Sequence, residues 1–174
     1  MGKLPGDYIA GFVDGEGCFA LKLRRDIRYE RKNKPIYFYW DIEFAIVLRK
    51  DDKEILEAIR ETLECGKISI NKYGMARYAV NDINDLMYKI IPFFELYQLH
   101  AKKKFDFELW KEAMVLLYKN KGLKTNISTT GNPRGKRKKN WDHNELKKLR
   151  EIHEKMQDYK SQRGEWKWIE QLQK

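Results

Sequence analysis

Two carboxylates set among glycines, Asp14-Gly15-Glu16-Gly17, are the residues of this chain best suited to chemistry. Glycines beside an acid leave room for a ligand to approach the carboxylate. Carboxylate oxygens suit Mg²⁺, which keeps several of its waters and can neutralise a phosphate while activating a water. These residues therefore suit metal-assisted hydrolysis of a phosphodiester bond. A solvated turn between a helix and a strand is the alternative, and the spacing alone favours it.

The residues before the acids suggest how a second carboxylate could reach the same place. Gly11 and Gly15 lie four positions apart in a short apolar stretch, a spacing that lets another backbone approach a helix closely. Two copies of the chain meeting there would bring two Glu16 side chains together across a two-fold axis. Like charges that close repel unless cations lie between them, so this arrangement favours bound metal.

The charge balance indicates the class of partner. The 174 residues include 36 Lys and Arg against 26 Asp and Glu, a net charge of +10. Such a surplus predicts a polyanionic partner, most often nucleic acid. A membrane surface is the competing partner, but no apolar run approaches the length of a spanning helix, so we expect no membrane partner.

Location and redox state follow from what the sequence lacks. We find no secretion signal and no long transit segment before the acidic motif, so we expect an intracellular protein, in the cytoplasm of a prokaryote or the matrix or stroma of an organelle. Cys18 and Cys65 are the only cysteines, too few for a disulfide framework, and we expect both to be reduced.

Hydrophobic periodicity predicts the elements that position the acids. A first helix begins near Pro5 and Asp7 and ends around residues 14–17. Two strands with alternating apolar residues follow, from Cys18 to Arg24 and from Ile36 to Leu48, around a polar hairpin tip at 25–34. Phe19, Leu21, Leu23 and every second residue from Phe38 to Leu48 are expected to face the core.

A second helix and a second hairpin follow. We expect a helix over 52–64 capped by Asp51, and a hairpin with strands at 67–71 and 75–80 whose Ile68, Ile70, Tyr78 and Val80 face inward. Helices over about 81–97, kinked at Pro92, and about 101–119 complete the core. The fold is α+β in the order α-β-β-α-β-β-α, one domain over 1–174 with its core at about 4–119 and no internal repeat.

A basic segment separates this core from a C-terminal helical extension at about 142–174. Residues from about 119 to 141 hold eight Lys and Arg and no acid. They form either a solvated loop or a loop ordered by DNA phosphates, with Lys136, Arg137, Lys138 and Lys139 as contacts. The two are compatible if the loop orders only on DNA.

The stretch from Ile9 to Gly17 resembles, letter for letter, the defining motif of the LAGLIDADG homing endonucleases. The resemblance extends over about residues 5–110 and includes Phe44–Leu48, Gly66 and Lys102-Lys103 ahead of Asp106-Phe107. It implies a curved antiparallel β-sheet saddle with C-terminal helices. It also implies an intron-encoded, site-specific nuclease that cuts both strands of a long, nearly palindromic DNA target as a homodimer.

The resemblance assigns roles to particular residues. Glu16, a variant of the usual aspartate, and the Gly15 carbonyl would bind the catalytic Mg²⁺; Mn²⁺ would substitute, and Ca²⁺ would support binding without cleavage. Lys102 is favoured over Lys103 as the catalytic lysine, the other being a phosphate contact. Arg49 stands near the position of a polar residue that orders water in the family. The dimer interface would comprise Ala10, Gly11, Asp14 and Gly15, with Asp14 serving structure.

The outward face of the sheet is the expected DNA-reading surface, because a two-stranded ribbon fits the major groove. Its basic side chains suit guanine or phosphate, Asn71 suits adenine, and Asp41 or Glu43 can accept from cytosine. The full set is Lys22, Arg24, Arg28, Tyr37, Tyr39, Asp41, Glu43, Lys67, Ser69, Asn71 and Arg77. An ordinary solvated sheet face would also alternate in polarity.

Three other functions compete with a nuclease of this family. The nearest is a non-catalytic nucleic-acid binder on the same scaffold, an intron RNA maturase or a transcription regulator. A nuclease of the His-Asn-His type would rest on His143-Asn144, but the other histidines are too scattered. A structural or membrane-surface module would need its basic residues on an amphipathic helix, whereas here they lie on strands and a loop.

Overall fold

The computed structural model describes residues 2–32, 34, 36–121 and 141–158, with the side chain of Tyr37 excluded. Helix α1 (Gly6–Glu16) leads directly into strands β1 (Gly17–Ile27) and β2 (Ile36–Arg49). A 3-10 turn (Lys50–Asp52) precedes α2 (Lys53–Leu63), and strands β3 (Lys67–Ile70) and β4 (Met75–Val80) follow. Helices α3 (Ile83–Leu96), α4 (Lys103–Lys119) and α5 (His143–Asp158) complete the order. The α+β order predicted from the sequence is confirmed.

The four strands form one antiparallel sheet in the order β1-β2-β4-β3. Alternation works as predicted: Phe19, Leu21, Phe44, Ile46 and Tyr78 are at most 1% exposed. Ile70 is the exception, since it ends the edge strand β3 and is 44% exposed. Strand β1 also continues three residues beyond the predicted Arg24, because pairing with β2 persists to Ile27↔Ile36.

The helices cover one face of this sheet and leave the other open. Phe19 lies at the centre of the covered side, with ring centroids 5.2 Å from Phe44 and Phe107, 5.3 Å from Trp110 and 5.5 Å from Phe94. Aromatic packing of this kind stabilises beyond the apolar area it buries. Helices α3 and α4 are therefore fixed against β1 and β2 through one aromatic cluster, and α1 packs on the same core through Ile9 and Val13.

Helix α1 shows how the acidic turn is placed. Ile9, Ala10 and Val13 are buried, so this stripe faces the core. At Gly17 the chain leaves the helix, and a Cβ there would lie 2.8 Å from the carbonyl oxygen of Val13. Only glycine fits that close approach. The sequence Glu16-Gly17 therefore ends the helix and begins β1 without an intervening loop.

One predicted detail was wrong, and two others are now defined more closely. Asp51 does not cap α2; it lies in the 3-10 turn and pairs with Arg49 at 3.1 Å, and α2 begins at Lys53. Around Pro92 the chain adopts a π-helical segment, Leu86–Ile90, in which the Ile91 N–H bonds to Leu86, and it continues as helix. Helix α4 begins at Lys103, two residues later than predicted.

Both cysteines are free, as predicted. Within the described ranges no helix is long and apolar enough to cross a membrane. The basic segment with Lys136, Arg137, Lys138 and Lys139, and the C-terminal extension after Asp158, lie outside the described residues.

Candidate acidic site and nucleic-acid interface

Glu16 is the last residue of α1, and its carboxylate is exposed. It forms no hydrogen bond or ion pair with any residue in the described part of the chain. The last turn of α1 carries no basic residue. A helix C-terminus carries partial negative charge, so it and the unpaired carboxylate attract a cation at the same place.

Asp14 has a different, structural position. Its Oδ2 accepts hydrogen bonds from the backbone N–H groups of His100 at 2.8 Å and Ala101 at 3.2 Å. Its Oδ1 is buried without a hydrogen-bond partner. The carboxylate thus joins the end of α1 to the turn that precedes α4, and α4 begins beside the acidic turn.

The two lysines at the start of α4 differ in their surroundings. Lys103 is half-buried, and its ammonium donates a hydrogen bond to the carbonyl oxygen of Gly17. Lys102 is exposed, and its ammonium forms no hydrogen bond or ion pair with any of the described residues. The structure therefore brings Lys103 to the acidic turn and leaves Lys102 beside it, facing solvent.

One side of α1 is uncovered. A Cβ built on Gly11 or Gly15 would meet no atom within 4 Å. Tyr8, 50% exposed, stacks on Phe12 on the same helix with ring centroids 6.3 Å apart. Ala10 must be corrected as an interface candidate, because it is 2% exposed and packs in the chain's own core.

A single chain offers few metal ligands. No three His, Cys, Asp or Glu side chains converge anywhere in the described ranges. At the acidic turn itself, Asp14 is already engaged by backbone donors, which leaves Glu16 as the free acid. A site with more than one carboxylate there requires a second acidic turn.

The open sheet face carries a linked set of charges across three strands. Glu43 on β2 pairs through Oε1 with Lys22 on β1 at 2.5 Å and through Oε2 with Arg77 on β4 at 2.8 Å. Burial of Glu43 favours its neutral form, but the two cationic hydrogen bonds outweigh that effect, and its pKa is lowered.

A second group of pairs lies toward the hairpin tip. Arg24 donates a hydrogen bond to Asp41 at 2.7 Å, and its guanidinium lies 5.1 Å from the ring centroid of Tyr39. The hydrogen bond to Asp41 is the largest cause of the raised pKa of Arg24. Arg28 forms a hydrogen bond with the Tyr39 hydroxyl, and this bond raises the pKa of Arg28. Arg28 also forms an ion pair with Asp26 at 3.1 Å. Four of the predicted DNA-reading cations, Lys22, Arg24, Arg28 and Arg77, are therefore held by neighbouring acids or by tyrosine.

The remaining predicted contacts are distributed along the sheet edge. Lys67 and Ser69 are exposed on β3. Asn71 accepts hydrogen bonds at its Oδ1 from the N–H groups of Tyr73 and Met75, which closes the β3–β4 turn, and its adenine contact stays a prediction. Arg49 ends β2, exposed and paired with Asp51, and it contacts neither Glu16 nor Asp14.

Comparison with known proteins assigns the family. The model of the LAGLIDADG endonuclease family matches residues 9–114, more than half of the chain. The chain belongs to the LAGLIDADG endonuclease family. The match includes the acidic turn, the whole sheet and Lys103, so the geometry described above lies within the part that defines the family.

Relatives and solved structures agree with this LAGLIDADG assignment. A probable intron-encoded endonuclease 2 of Neurospora crassa is 33% identical over 118 residues, 66% of this chain and 25% of that protein. The homing endonuclease I-TnaI superposes with a TM-score of 0.65 at 25% identity, covering 90% of this chain and 96% of that one. I-LtrWI, solved bound to its target DNA, gives 0.67 at 25% identity, covering 89% and 45%. The chain spans about a quarter to a third of the length of its curated relatives.

Two features of this LAGLIDADG chain were not found from sequence. The bonds from the Asp14 carboxylate to the backbone of His100 and Ala101 join residues 86 and 87 positions apart. The double pairing of Glu43 depends on which residues of β1 and β4 adjoin it. The opposite charges of Lys22 and Glu43 on one face of the predicted sheet could have indicated the Lys22–Glu43 pair. They gave no indication of the Arg77–Glu43 pair.

Proposed function

We propose that this chain is a site-specific double-strand DNA endonuclease that hydrolyses phosphodiester bonds with a divalent metal and acts as a homodimer. The observation that carries the proposal is the position of Glu16, an unpaired carboxylate at the end of the family's motif helix, next to a glycine face that no described residue of the chain covers. The family match supports a nuclease, and the position of Glu16 supports the metal and the pairing.

The residues present fit a hard divalent cation. Glu16 and the carbonyl oxygen of Gly15 would hold Mg²⁺, since both are oxygen ligands at a helix end without a competing basic side chain. When bound, Mg²⁺ supplies charge neutralisation at the phosphate and an activated water. Mn²⁺ would substitute, and Ca²⁺ would support DNA binding without cleavage.

Lysine at the start of α4 completes the acidic site. The Lys103 ammonium, held at the Gly17 carbonyl, adds positive charge beside the turn where a scissile phosphate would lie. Lys102 is the alternative catalytic lysine and otherwise a phosphate contact. In either case the chain's own part is to keep a cation next to Glu16 while Asp14 fixes the backbone around it.

Pairing of two chains would complete the metal site. Two α1 helices meeting at Gly11 and Gly15 can approach closely, because neither glycine presents a side chain. The two Glu16 carboxylates would then lie on either side of a two-fold axis. A DNA target that shares this two-fold axis is nearly palindromic.

The open sheet face would contact the DNA. Lys22, Arg24, Arg28 and Arg77 project from it, and Lys67, Ser69 and Arg49 extend it along the edges. Lys136, Arg137, Lys138 and Lys139 would add phosphate contacts. I-LtrWI, a protein of this fold, binds target DNA in its crystal structure, which supports the same class of partner here.

A selection experiment tests this function directly. The purified chain is incubated with a randomised duplex library and Mg²⁺, and cut molecules are sequenced; we expect one long, nearly symmetric site with staggered cuts. Glu16→Gln should abolish cutting of that site and leave binding in Ca²⁺ largely intact. Glu61→Gln on the exposed side of α2 removes the same charge and should cut normally.

Three outcomes would contradict the proposal. Full cutting by Glu16→Gln would remove Glu16 from the chemistry, and a monomer on the recovered site would remove the shared metal site. Specific binding without any cutting in Mg²⁺ or Mn²⁺ would instead favour a maturase or a transcription regulator. Intron RNA would then be the partner to examine.

A further inference from the structure

Glu43 lies on the open face of the sheet, between cations of the two neighbouring strands. Strand β2 lies between β1 and β4, and Glu43 uses one carboxylate oxygen for a cation on each side, Lys22 at 2.5 Å and Arg77 at 2.8 Å. Two strands apart, β1 and β4 are separated by about 10 Å. One acid thus fixes two cations that belong to strands with no direct pairing between them.

The surroundings of Glu43 make this arrangement well defined. Only 18% of its side chain is exposed, against 60% for Lys22 and 37% for Arg77. Its strand partner on β1 is Ala20, and Ala45 and Ala79 pair nearby on the same face. Small neighbours leave room for the long Lys22 and Arg77 side chains to lie across the sheet toward the carboxylate.

The same geometry argues against direct contact between Glu43 and a base. A glutamate that reads cytosine accepts a hydrogen bond from the exocyclic amine. Both oxygens of Glu43 already bind cations, and those cations outweigh burial and keep the acid ionised at neutral pH with a lowered pKa. A cytosine amine reaching either oxygen would have to share it with a charge-assisted hydrogen bond, which is among the stronger ones in proteins.

We propose that Glu43 is a specificity-determining positioning residue. It holds Lys22 and Arg77 at fixed places on the sheet and restrains both from binding the phosphates of non-target DNA. The inference rests on the proposed function only in taking the open sheet face as the surface that meets DNA. Lys22 and Arg77 contact the DNA; Glu43 acts through them.

This role predicts an unusual direction of change. Glu43→Gln keeps the size of the side chain but removes the negative charge and one of the two acceptor oxygens that hold the cations, so affinity for random duplex should rise. Each cation freed to bind a phosphate steepens the salt dependence, by about 0.9 in the slope of log K against log salt for each phosphate contact. The preference for the selected target over random duplex should fall about tenfold, the scale of one mismatched base pair.

Binding measurements in Ca²⁺ at several salt concentrations test the proposal with the full chain. Wild type, Glu43→Gln and the control Glu61→Gln are titrated with the selected target and with a random duplex of equal length. Glu61 is exposed on the outer side of α2, so its variant matches the change in net charge without touching the sheet. It should raise both affinities slightly and equally. A double variant, Glu43→Gln with Lys22→Met, should return the slope halfway to that of wild type.

Each other result has a defined meaning. A base-reading Glu43 would lower affinity for the selected target alone, with an unchanged salt slope. A merely structural Glu43 would lower the melting temperature and both affinities together. Either result overturns the positioning role while the proposed endonuclease stands, provided that wild type still recovers a site. Failure of wild type to select any DNA overturns both.

Discussion

The ammonium of Lys103 donates a hydrogen bond to the carbonyl oxygen of Gly17, the residue that follows Glu16. This bond links α4 to the acidic turn across 86 positions of sequence. The adjacent Lys102 has no such anchor among the described residues. Because a fixed charge needs no reorganisation when negative charge develops nearby, Lys103 is the better placed of the two to act on a phosphate.

Replacement of the two lysines should therefore have unequal effects. Lys103→Met should slow cleavage of the selected target by about 10²-fold, the scale for loss of one preorganised electrostatic group. Lys102→Met should slow it less than about tenfold. Single-turnover cleavage in Mg²⁺ measures both, and binding in Ca²⁺ separates chemistry from affinity. The reverse order would return the catalytic role to Lys102, the residue favoured in the sequence analysis.

Asp14 should matter for stability where Glu16 does not. Asp14→Ala removes two backbone hydrogen bonds to a carboxylate and leaves the His100 and Ala101 donors without that partner. We expect a loss of about 2 kcal/mol in the free energy of unfolding, measured by urea denaturation. Glu16→Ala, at an exposed and unpaired position, should change it by less than about 0.5 kcal/mol. Equal losses of unfolding free energy for the two variants would contradict a structural role for Asp14 that Glu16 does not share.

Local patterns in the sequence were sufficient for the order of helices and strands and for the face that the strands bury. Alternation placed Phe19 and Phe44 on the covered face, and the chain's change of period at Cys18 marked the end of α1. These properties depend on residues near one another along the chain. The π-helical segment before Pro92 depends instead on how a rigid ring is accommodated within a packed helix, which periodicity does not encode.

Side-chain partners were harder to predict because they depend on register and on turns. Asn71 looks like an adenine reader by type, yet its amide oxygen closes the hairpin beside Tyr73-Gly74. Asp51 looks like a helix cap but meets Arg49 instead. Ala10 has the small size of an interface residue, but the phase of α1 turns it into the core. Residue type suggested a candidate, and the three-dimensional neighbours decided its role.

The open face of α1 gives a test of dimerisation that does not depend on catalysis. A Cβ at Gly11 meets no atom within 4 Å in the single chain, and replacing an exposed helical glycine with leucine should raise the stability of the monomer by up to about 1 kcal/mol. The same side chain should prevent a second α1 from approaching. In sedimentation we expect Gly11→Leu to be a monomer, and we expect it not to cleave the selected target. A cleaving dimer of Gly11→Leu would show that the chains meet elsewhere.

The charge network around Glu43 should also give a pH signature. Its pKa is lowered in the folded chain, despite burial, by the bonds from Lys22 and Arg77, so near and below pH 4 the unfolded chain binds more protons at this site. The stability that the network contributes is therefore complete above the unfolded pKa of about 4.3 and declines as pH falls through the lowered folded value.

Glutamine at position 43 does not titrate, so the comparison isolates the network. We expect wild type to exceed Glu43→Gln in unfolding free energy at pH 7 by no more than about 1 kcal/mol, since solvent screens a surface network. That difference should shrink steadily below about pH 4. Urea unfolding of both proteins from pH 7 down to pH 3 measures it. A difference that stays constant over this range would mean that Glu43 carries no charge-dependent link to Lys22 and Arg77, because only the ionised carboxylate binds both.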